Sequence, residues 1–359
     1  MSSSGRRATI AHVAREAGVS TSTASVVFSG KVNVAEATRE KVLAAAARLG
    51  YAGPDPRAAS LRTGRSGIVG VVLGGELRDA FLDPVTTAMM DGLTDALAAL
   101  SAGILLLRDD PREDEPPPIS DAPVDAVVLI GCSSRARTAL EVVRRRGLPV
   151  VVIEGDAGDD APQITLNNRE ASAQISRHVH MLGHRRAATI TLPLDVARDR
   201  TQLTPERVDG ATVTVTVDRL AGFWEVYPQA PGVSARGSLV DEGVLAARML
   251  LTDVDGALRA DRPTAIVAQS DLLAVGAIRA AEELGLRVPQ DLTVVGFDGI
   301  ATDGIGSLEL TTMAQPALEK GRAAGEQVAR MLNGEQGESV YFACEFRAGE
   351  TAAPPPPGT

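Results

Sequence analysis

Beyond Ser66 the chain repeats one texture: short apolar runs of strand length, separated by stretches with helical periodicity. The runs fall at 68–73, 104–107, 126–130, 150–153, 164–166, 188–192, 265–268 and 292–297. Helical patterns lie between many of them, at 84–100, 136–146, 169–182, 244–251 and 271–284. The runs are apolar throughout instead of alternating, which is the pattern of strands buried on both faces of a parallel sheet. Strands and helices in alternation therefore predict an α/β core, and its length exceeds one compact unit, so two lobes with a cleft between them are expected. Residues 195–218 break the rhythm. The part 195–209 is polar and 211–217 alternates Thr with Val, so this stretch reads as an insertion contributing a strand or hairpin. Residues 228–237 are irregular, and the Pro-rich 352–359 reads as a disordered tail.

The first fifty residues have a different texture, that of three short helices. Ile10, Val13, Ala14 and Ala17 share one helical face, Thr9 stands at the cap position, and Gly18 supplies a stop. Ser20 can cap a second helix running to Phe28, and a third spans about 35–49, with Ala35 offering no capping oxygen. Helix, glycine turn, helix and third helix form the helix-turn-helix arrangement, although an ordinary three-helix bundle shares the same pattern. Thr21, Ser22 and Ser25 present small hydroxyls suited to phosphates and base edges, while Ala24, Val27 and Phe28 face the bundle. Residues 51–56 read as a linker and 57–64 as a helix too short to persist alone in water.

Charge supports the division. Residues 1–67 hold ten Lys/Arg against four Asp/Glu, a balance of +6, whereas the remainder carries −16 and brings the whole chain to −10. A basic head on an acidic body points to the head as the part that meets a polyanion. No apolar run reaches the ~18 residues of a membrane span, and the amino terminus leads into a polar helix, so the protein is expected in the cytoplasm. Cys132 and Cys344 have no metal or disulfide spacing and read as small buried apolar residues.

Read as one ordered stretch, Thr9-Ile-Ala-His-Val-Ala-Arg-Glu-Ala-Gly-Val-Ser-Thr-Ser-Thr-Ala-Ser-Val-Val-Phe-Ser-Gly30 resembles the start of the lac repressor/galactose repressor (LacI/GalR) family of bacterial transcriptional regulators. Thr38 to Val42, Leu49-Gly50-Tyr51 and Pro54 to Leu61 continue the resemblance, the last as that family's hinge helix. The resemblance implies a helix-turn-helix domain at 1–53, a hinge at 54–66, a two-lobed core resembling periplasmic binding proteins at 67–351 and the tail at 352–359. It further implies a homodimer on a pseudo-palindromic operator in double-stranded DNA, acting as a repressor under control of a sugar or related metabolite. Thr9, Ser20, Thr21, Ser22, Thr23, Ser25, Val26, Ser29 and Ala58 are the implied DNA contacts, and Leu61 the minor-groove wedge, which kinks the duplex at the cost of unstacking it. Val26 stands where some members carry an arginine, so one bidentate guanine contact is lost.

In the core, residues 124–129, 147–151, 182–186, 270–271, 294–298 and 311–316 match family landmarks. Arg219, Asp298, Ser270, Asp79 and Phe81 are the implied effector contacts; a guanidinium offers a fork of donors for vicinal hydroxyls or a carboxylate, unless Arg219 and Asp298 merely bridge the lobes. Asn167, Ala171 and Ser238 depart from the family pattern. Two other classes compete. His178, His180 and His184 raise the possibility of a metalloenzyme, but only two of them share a helical face, and no phosphate loop or nucleophile elbow is present. No metal, cofactor or catalytic residue is therefore expected. A small-molecule-binding protein without operator specificity, or a transport binding protein, would fit the core but not the basic head.

Overall fold

The structure is a computed structural model that describes residues 8–29, 34–53, 64–74, 77–109, 116–131, 134–155, 158, 161–301 and 308–357. It divides into two compact units, 1–67 and 68–359.

In the first unit, α1 (Ile10–Ala17), α2 (Thr21–Ser29) and α3 (Glu36–Arg48) enclose a small core of Val13, Ala14, Ala24, Val42, Ala45 and Ala46. Gly18 adopts φ 65°, a left-handed turn that costs a residue without Cβ little, and it lets α2 fold back on α1. Phe28 meets the Tyr51 ring edge-on at 5.3 Å and closes the bundle. The hinge positions Ala58 and Leu61, with the short helix read at 57–64, fall almost wholly outside the described residues, and so does Cys132.

The second unit contains two sheets. The first lobe is built on six parallel strands in the order β12-β5-β4-β3-β1-β2: β1 (Ile68–Gly74), β2 (Gly103–Asp109), β3 (Ala126–Ile130), β4 (Val150–Ile153), β5 (Gln163–Leu166) and β12 (Val340–Phe342). The second lobe has seven strands, β13-β11-β10-β9-β6-β8-β7, with β6 (Ala187–Thr191), β8 (Gly232–Ser234), β9 (Ala265–Ala268), β10 (Thr293–Asp298) and β11 (Thr311–Ala314) parallel, and antiparallel edges from β7 (Thr201–Gln202) and β13 (Glu345–Arg347). Successive residues serve opposite layers, as the two-residue strand period requires: Val69, Val71 and Val128 enter one core of the first lobe, Val72, Val127 and Leu129 the other.

Helices cover both sheets. In the first lobe these are α4 (Leu77–Leu82), α5 (Pro84–Ala98), α6 (Ser134–Arg145) and α12 (Ala317–Leu332); in the second, α7 (Asn168–Met181), α8 (Pro205–Asp209), α9 (Thr214–Val226), α10 (Val240–Leu251) and α11 (Asp271–Glu283). The pair α5 and α12 touch backbone to backbone: a Cβ on Gly321 would lie 1.8 Å from the Met89 carbonyl oxygen. The chain passes between the lobes three times, from β5 into α7, from β11 into α12, and from β12 into β13.

Two expectations need correction. Residues 211–217 are not a strand. Val213 caps α9, and the Thr/Val alternation lies in the helix's first turn, where Thr216 Oγ1 donates to the Pro193 carbonyl at 2.8 Å. Leu220 and Phe223, one and two turns on, are fully buried, and that packing outweighs a weak local β preference. The inserted segment does supply strand β7 and the short helix α8, upstream of 211–217. The tail is bound at its start: the Ala353 carbonyl accepts from His184 Nε2 at 2.8 Å and from Thr293 Oγ1 at 3.0 Å. His184 also pairs through Nδ1 with Thr264 Oγ1, at 2.9 Å, so its ring is committed within the second lobe. No helix among the described residues is long and apolar enough to cross a membrane.

Candidate DNA-reading head and ligand cleft

At the amino end of α2 the hydroxyls organise one another. Ser20 Oγ accepts the Thr23 backbone N–H at 3.1 Å and shares hydrogen bonds with the Ser22 and Thr23 hydroxyls, each at 2.8 Å. This cap satisfies one of the first-turn donors and leaves others directed outward with the positive end of the helix, a natural seat for phosphate. Thr21 and Ser22 are exposed, Thr23, Ser25 and Val26 half-buried, and Ala24 fully buried. Ser29 ends α2, and the Thr9 backbone N–H donates to His12 Nδ1 at 3.4 Å.

In the core a cavity of about 280 Å³ opens between the lobes at the carboxyl ends of β1, β3, β4, β6 and β10. The first lobe contributes Asp83, Thr86 and Glu154 among apolar neighbours; the second contributes Asp195, Arg198, Arg219, Ser238, Ser270 and Asp298, with Gln315 at the second crossing. Asp83 is fixed as the cap of α5, accepting from Val85 N–H at 3.1 Å and Thr86 Oγ1 at 2.8 Å. Ser270 caps α11, accepting from Leu273 N–H at 3.2 Å, and lies 2.9 Å from the Ser238 hydroxyl.

Arg219 is the centre of the site and only 3 % exposed. Its Nε donates to Asn168 Oδ1 at 2.8 Å and one terminal nitrogen to the Gln269 carbonyl at 2.6 Å. The same nitrogen stands 3.5 Å from Asp298 Oδ1, and the guanidinium carbon lies 3.6 Å from the centre of the Phe297 ring. The Arg219–Asp298 pair therefore lies within the second lobe and does not bridge the two. Burial pushes the Asp298 carboxyl well above the usual range despite Arg219, and Asp271 and Asp83 add to the push. Asp298 also holds φ 126°, a sparsely populated conformation for a residue with a side chain. Behind it, burial raises Asp271 to about 7, although Thr312 and the Ile300 backbone N–H both donate to it. Glu154 behaves in the opposite way: burial pushes its carboxyl up, but Lys320, Arg219 and the Asn168 amide outweigh burial and hold it low.

Arg219, Ser270 and Asp298, named from sequence, thus meet in one cavity. Phe81 is 67 % exposed on α4 and is not part of the cavity wall, though its neighbour Ala80 is. Asp79 lies on the same helix, and its side chain is outside the described set. Sequence reasoning missed Asp83, Glu154, Asn168 and Lys320. Asp83-Pro84 had a readable signal, a capping residue before proline at a helix start, and Glu154 ends an apolar strand; Lys320 had none.

A second, larger hollow of about 680 Å³ lies at the opposite end of the second lobe's sheet, around Arg185, Arg186, Tyr227, Met249, Arg259 and Asp261. Arg185 donates to the His180 carbonyl at 2.9 Å, Arg259 pairs with Asp261 at 2.9 Å, and burial lifts the Tyr227 phenol to about 12.

Comparison with known proteins sets these sites in a family. An HTH-type transcriptional regulator of Mycobacterium tuberculosis is 34 % identical over 98 % of both chains, and the regulator IpsA of Corynebacterium glutamicum is 32 % identical over 96 % of this chain and 98 % of its own. The chain belongs to the LacI family. Residues 9–53 match bacterial regulatory proteins of the lacI family, and residues 176–341 match the periplasmic binding protein-like domain. A LacI-family structure from Corynebacterium glutamicum aligns at TM-score 0.70 with 26 % identity, covering 97 % of this chain and 100 % of that one. The lac repressor dimer bound to operator and an anti-inducer shares the fold at TM-score 0.73 with 21 % identity, over 97 % of this chain and 100 % of that chain. Like other LacI-family members, the protein is a DNA-binding transcriptional regulator, with the helix-turn-helix in α1–α3 and a periplasmic-binding-like core later in the chain.

Proposed function

We propose that this regulator is a homodimeric repressor that grips a pseudo-palindromic operator through paired heads and responds to a sugar or related small metabolite in the interlobe cleft. The observation that carries the reading is the amino end of α2, where Thr21 and Ser22 stand exposed while Ala24 is buried and Val27 and Phe28 pack against the small core. A helix-turn-helix places that end against base edges and phosphates. Thr9, Ser20, Thr21, Ser22, Thr23, Ser25, Val26 and Ser29 form the head's contact set, and Ala58 and Leu61 the hinge contacts in the minor groove. Arg219, Ser270 and Asp298 orient the effector, with Asp79 of α4 as a further contact, whereas Phe81 is not carried into this set because its ring lies outside the cavity wall. The lac repressor structure, a dimer on operator, and the cellobiose complex of CelR support this assignment of partners.

Selection from a random pool of duplexes with purified protein should recover a two-fold symmetric site whose affinity falls steeply with added salt, as phosphate neutralisation demands. Leu61→Ala should weaken that binding by about tenfold or more, the scale of a lost intercalating wedge, with the folded core unchanged. Recovery of unrelated sequences would reject the operator reading, and equal affinity of the variant would reject the wedge.

A further inference from the structure

Six side chains close a ring at the boundary between the lobes. Arg219 Nε donates to Asn168 Oδ1 at 2.8 Å, and Asn168 Nδ2 donates to Glu154 Oε1 at 2.8 Å. Lys320 Nζ donates to Glu154 Oε2 and to Gln315 Oε1. Gln315 Nε2 donates to Asp298 Oδ1 at 2.6 Å, and Asp298 returns to Arg219 through the 3.5 Å ion pair. Glu154 and Lys320 belong to the first lobe, Asn168, Arg219 and Asp298 to the second, and Asn168 and Gln315 stand at the first and second crossings.

The ring is not explained by stability. Lys320 is fully buried on α12 beside apolar Ala323, Ala324 and Val328, and it is the one charged residue among that helix's buried positions, the uncharged Gln327 accepting from the Glu338 backbone N–H. Burying an ammonium and a carboxylate together gains little over well-packed apolar residues of the same size, so a closed ionic ring serves geometry better than it serves folding. Four members, Glu154, Arg219, Asp298 and Gln315, also line the cleft, so whatever enters the cavity touches the ring directly. Its two carboxylate residues, Glu154 at φ 52° and Asp298 at φ 126°, sit on backbone that side-chain-bearing residues seldom adopt.

We propose that this ring is the coupling element of the regulator: it fixes the angle between the lobes, and a cleft ligand resets that angle by competing for Arg219 and Asp298. Lys320, Gln315 and Asn168 act as positioning residues behind them. The coupling to DNA rests on the function proposed above; the mechanical role of the ring does not.

The test is the full chain carrying Lys320→Met with Glu154→Gln, which removes one charge of each sign with little change in volume and keeps an acceptor for Asn168. The variant should fold with a Tm within a few degrees of the parent. Hydrogen exchange in peptides spanning the crossings, 163–170 and 312–318, should then accelerate about tenfold or more, as expected for local opening, while the centres of β1 and β9 exchange as in the parent. Affinity for the duplex selected by the parent should shift about tenfold, which a purely structural substitution in a stably folded chain would not produce. Unchanged exchange at the crossings, or acceleration shared equally by the lobe strands, overturns the ring's mechanical role. Faster crossings with parental affinity overturns the coupling. A parent that selects no duplex counts against the DNA reading alone, and the exchange ratio still decides the ring. Should the paired variant fail to fold, Gln315→Met cuts the ring at an uncharged member and carries the same comparison.

Discussion

The two cavities of the core differ in a way that size conceals. The hollow beside Tyr227 is more than twice the volume of the interlobe cleft, yet its charged groups are surface arginines and Asp261, and its buried Tyr227 hydroxyl is already committed to the His184 carbonyl. The cleft is smaller, but it collects a buried arginine, buried carboxylates and a capped serine from both lobes at the carboxyl ends of five strands. Functional character follows the convergence of desolvated polar groups, each of which needs a specific partner, rather than empty volume. Arg185, Arg186 and Arg259 stay in contact with water, where charges interact weakly and can be exchanged at little cost.

This contrast can be broken at several points, the largest effect first. Lys320→Met alone strands the Glu154 carboxylate in the cleft wall, so urea unfolding should show a loss of about 3–5 kcal/mol, the usual cost of an orphaned buried charge. A loss below about 1 kcal/mol would mean that the wall is hydrated, like the hollow. Arg219→Ala should abolish the thermal shift given by whichever metabolite stabilises the parent, while duplex binding without metabolite remains measurable with the roughly tenfold shift expected of any cut in the ring. Retention of the full shift would remove Arg219 from the effector site.

The third test concerns pH. Burial raises Asp271 and Asp298, Asp271 to about 7, and a carboxyl raised in the fold contributes its stability below about pH 4 and loses it as the pH climbs through its folded value. Glu154, held low, runs the other way and gives up its contribution only on acidification below the ordinary carboxylate range. Asp271 and Asp298 should therefore pull the urea midpoint down between pH 5 and about 7.5, against the opposite contribution of His178 and His184, which burial holds below the usual imidazole range and whose contribution grows as the pH rises toward about 6.5. Asp271→Asn should flatten that fall, at some cost in absolute stability because its amide nitrogen would face the Ile300 backbone N–H. An unaltered slope in the variant would assign the titration to other groups. The smallest effect belongs to the hollow. Arg186→Ala should leave stability, duplex affinity and metabolite response within about 0.5 kcal/mol of the parent, as is usual for a surface site. A clear change in duplex affinity or metabolite response would give the hollow a role of its own.

Sequence made one of these regions visible and hid most of the other's chemistry. The strands at 126–130, 150–153 and 265–268 were legible to the residue, because each is a short continuous apolar run rich in Val and Ile, the pattern of a strand buried in a parallel sheet. The first turn of α9 was misread, since Thr and Val at alternate positions carry a real β preference that only packing through Leu220 and Phe223 overrules. Arg219, Ser270 and Asp298 were found through family landmarks, Asp298 at the end of a strand and Arg219 within a helix. Lys320 was not, because a lysine in a helical pattern ordinarily faces water, and its burial follows from where α12 crosses α5, a fact of tertiary packing. Phe81 shows the converse: an aromatic in a strand-end loop suggested a contact, but its place on α4 leaves the ring in solvent.

The three passages between the lobes have a consequence for anyone who would cut this protein. Neither lobe is a contiguous piece of the gene. The first is assembled from 68–166 together with 317–342, and the second from 167–315 together with 343–353. A fragment ending at Leu166 would lack the strand that pairs with β5 and the helix that lies against Met89, and a fragment 167–315 would lack Cys344, whose backbone N–H donates to Asn167 Oδ1. Recombination that exchanged one lobe between relatives would have to replace two separated stretches at once, which ties the inheritance of the two halves together.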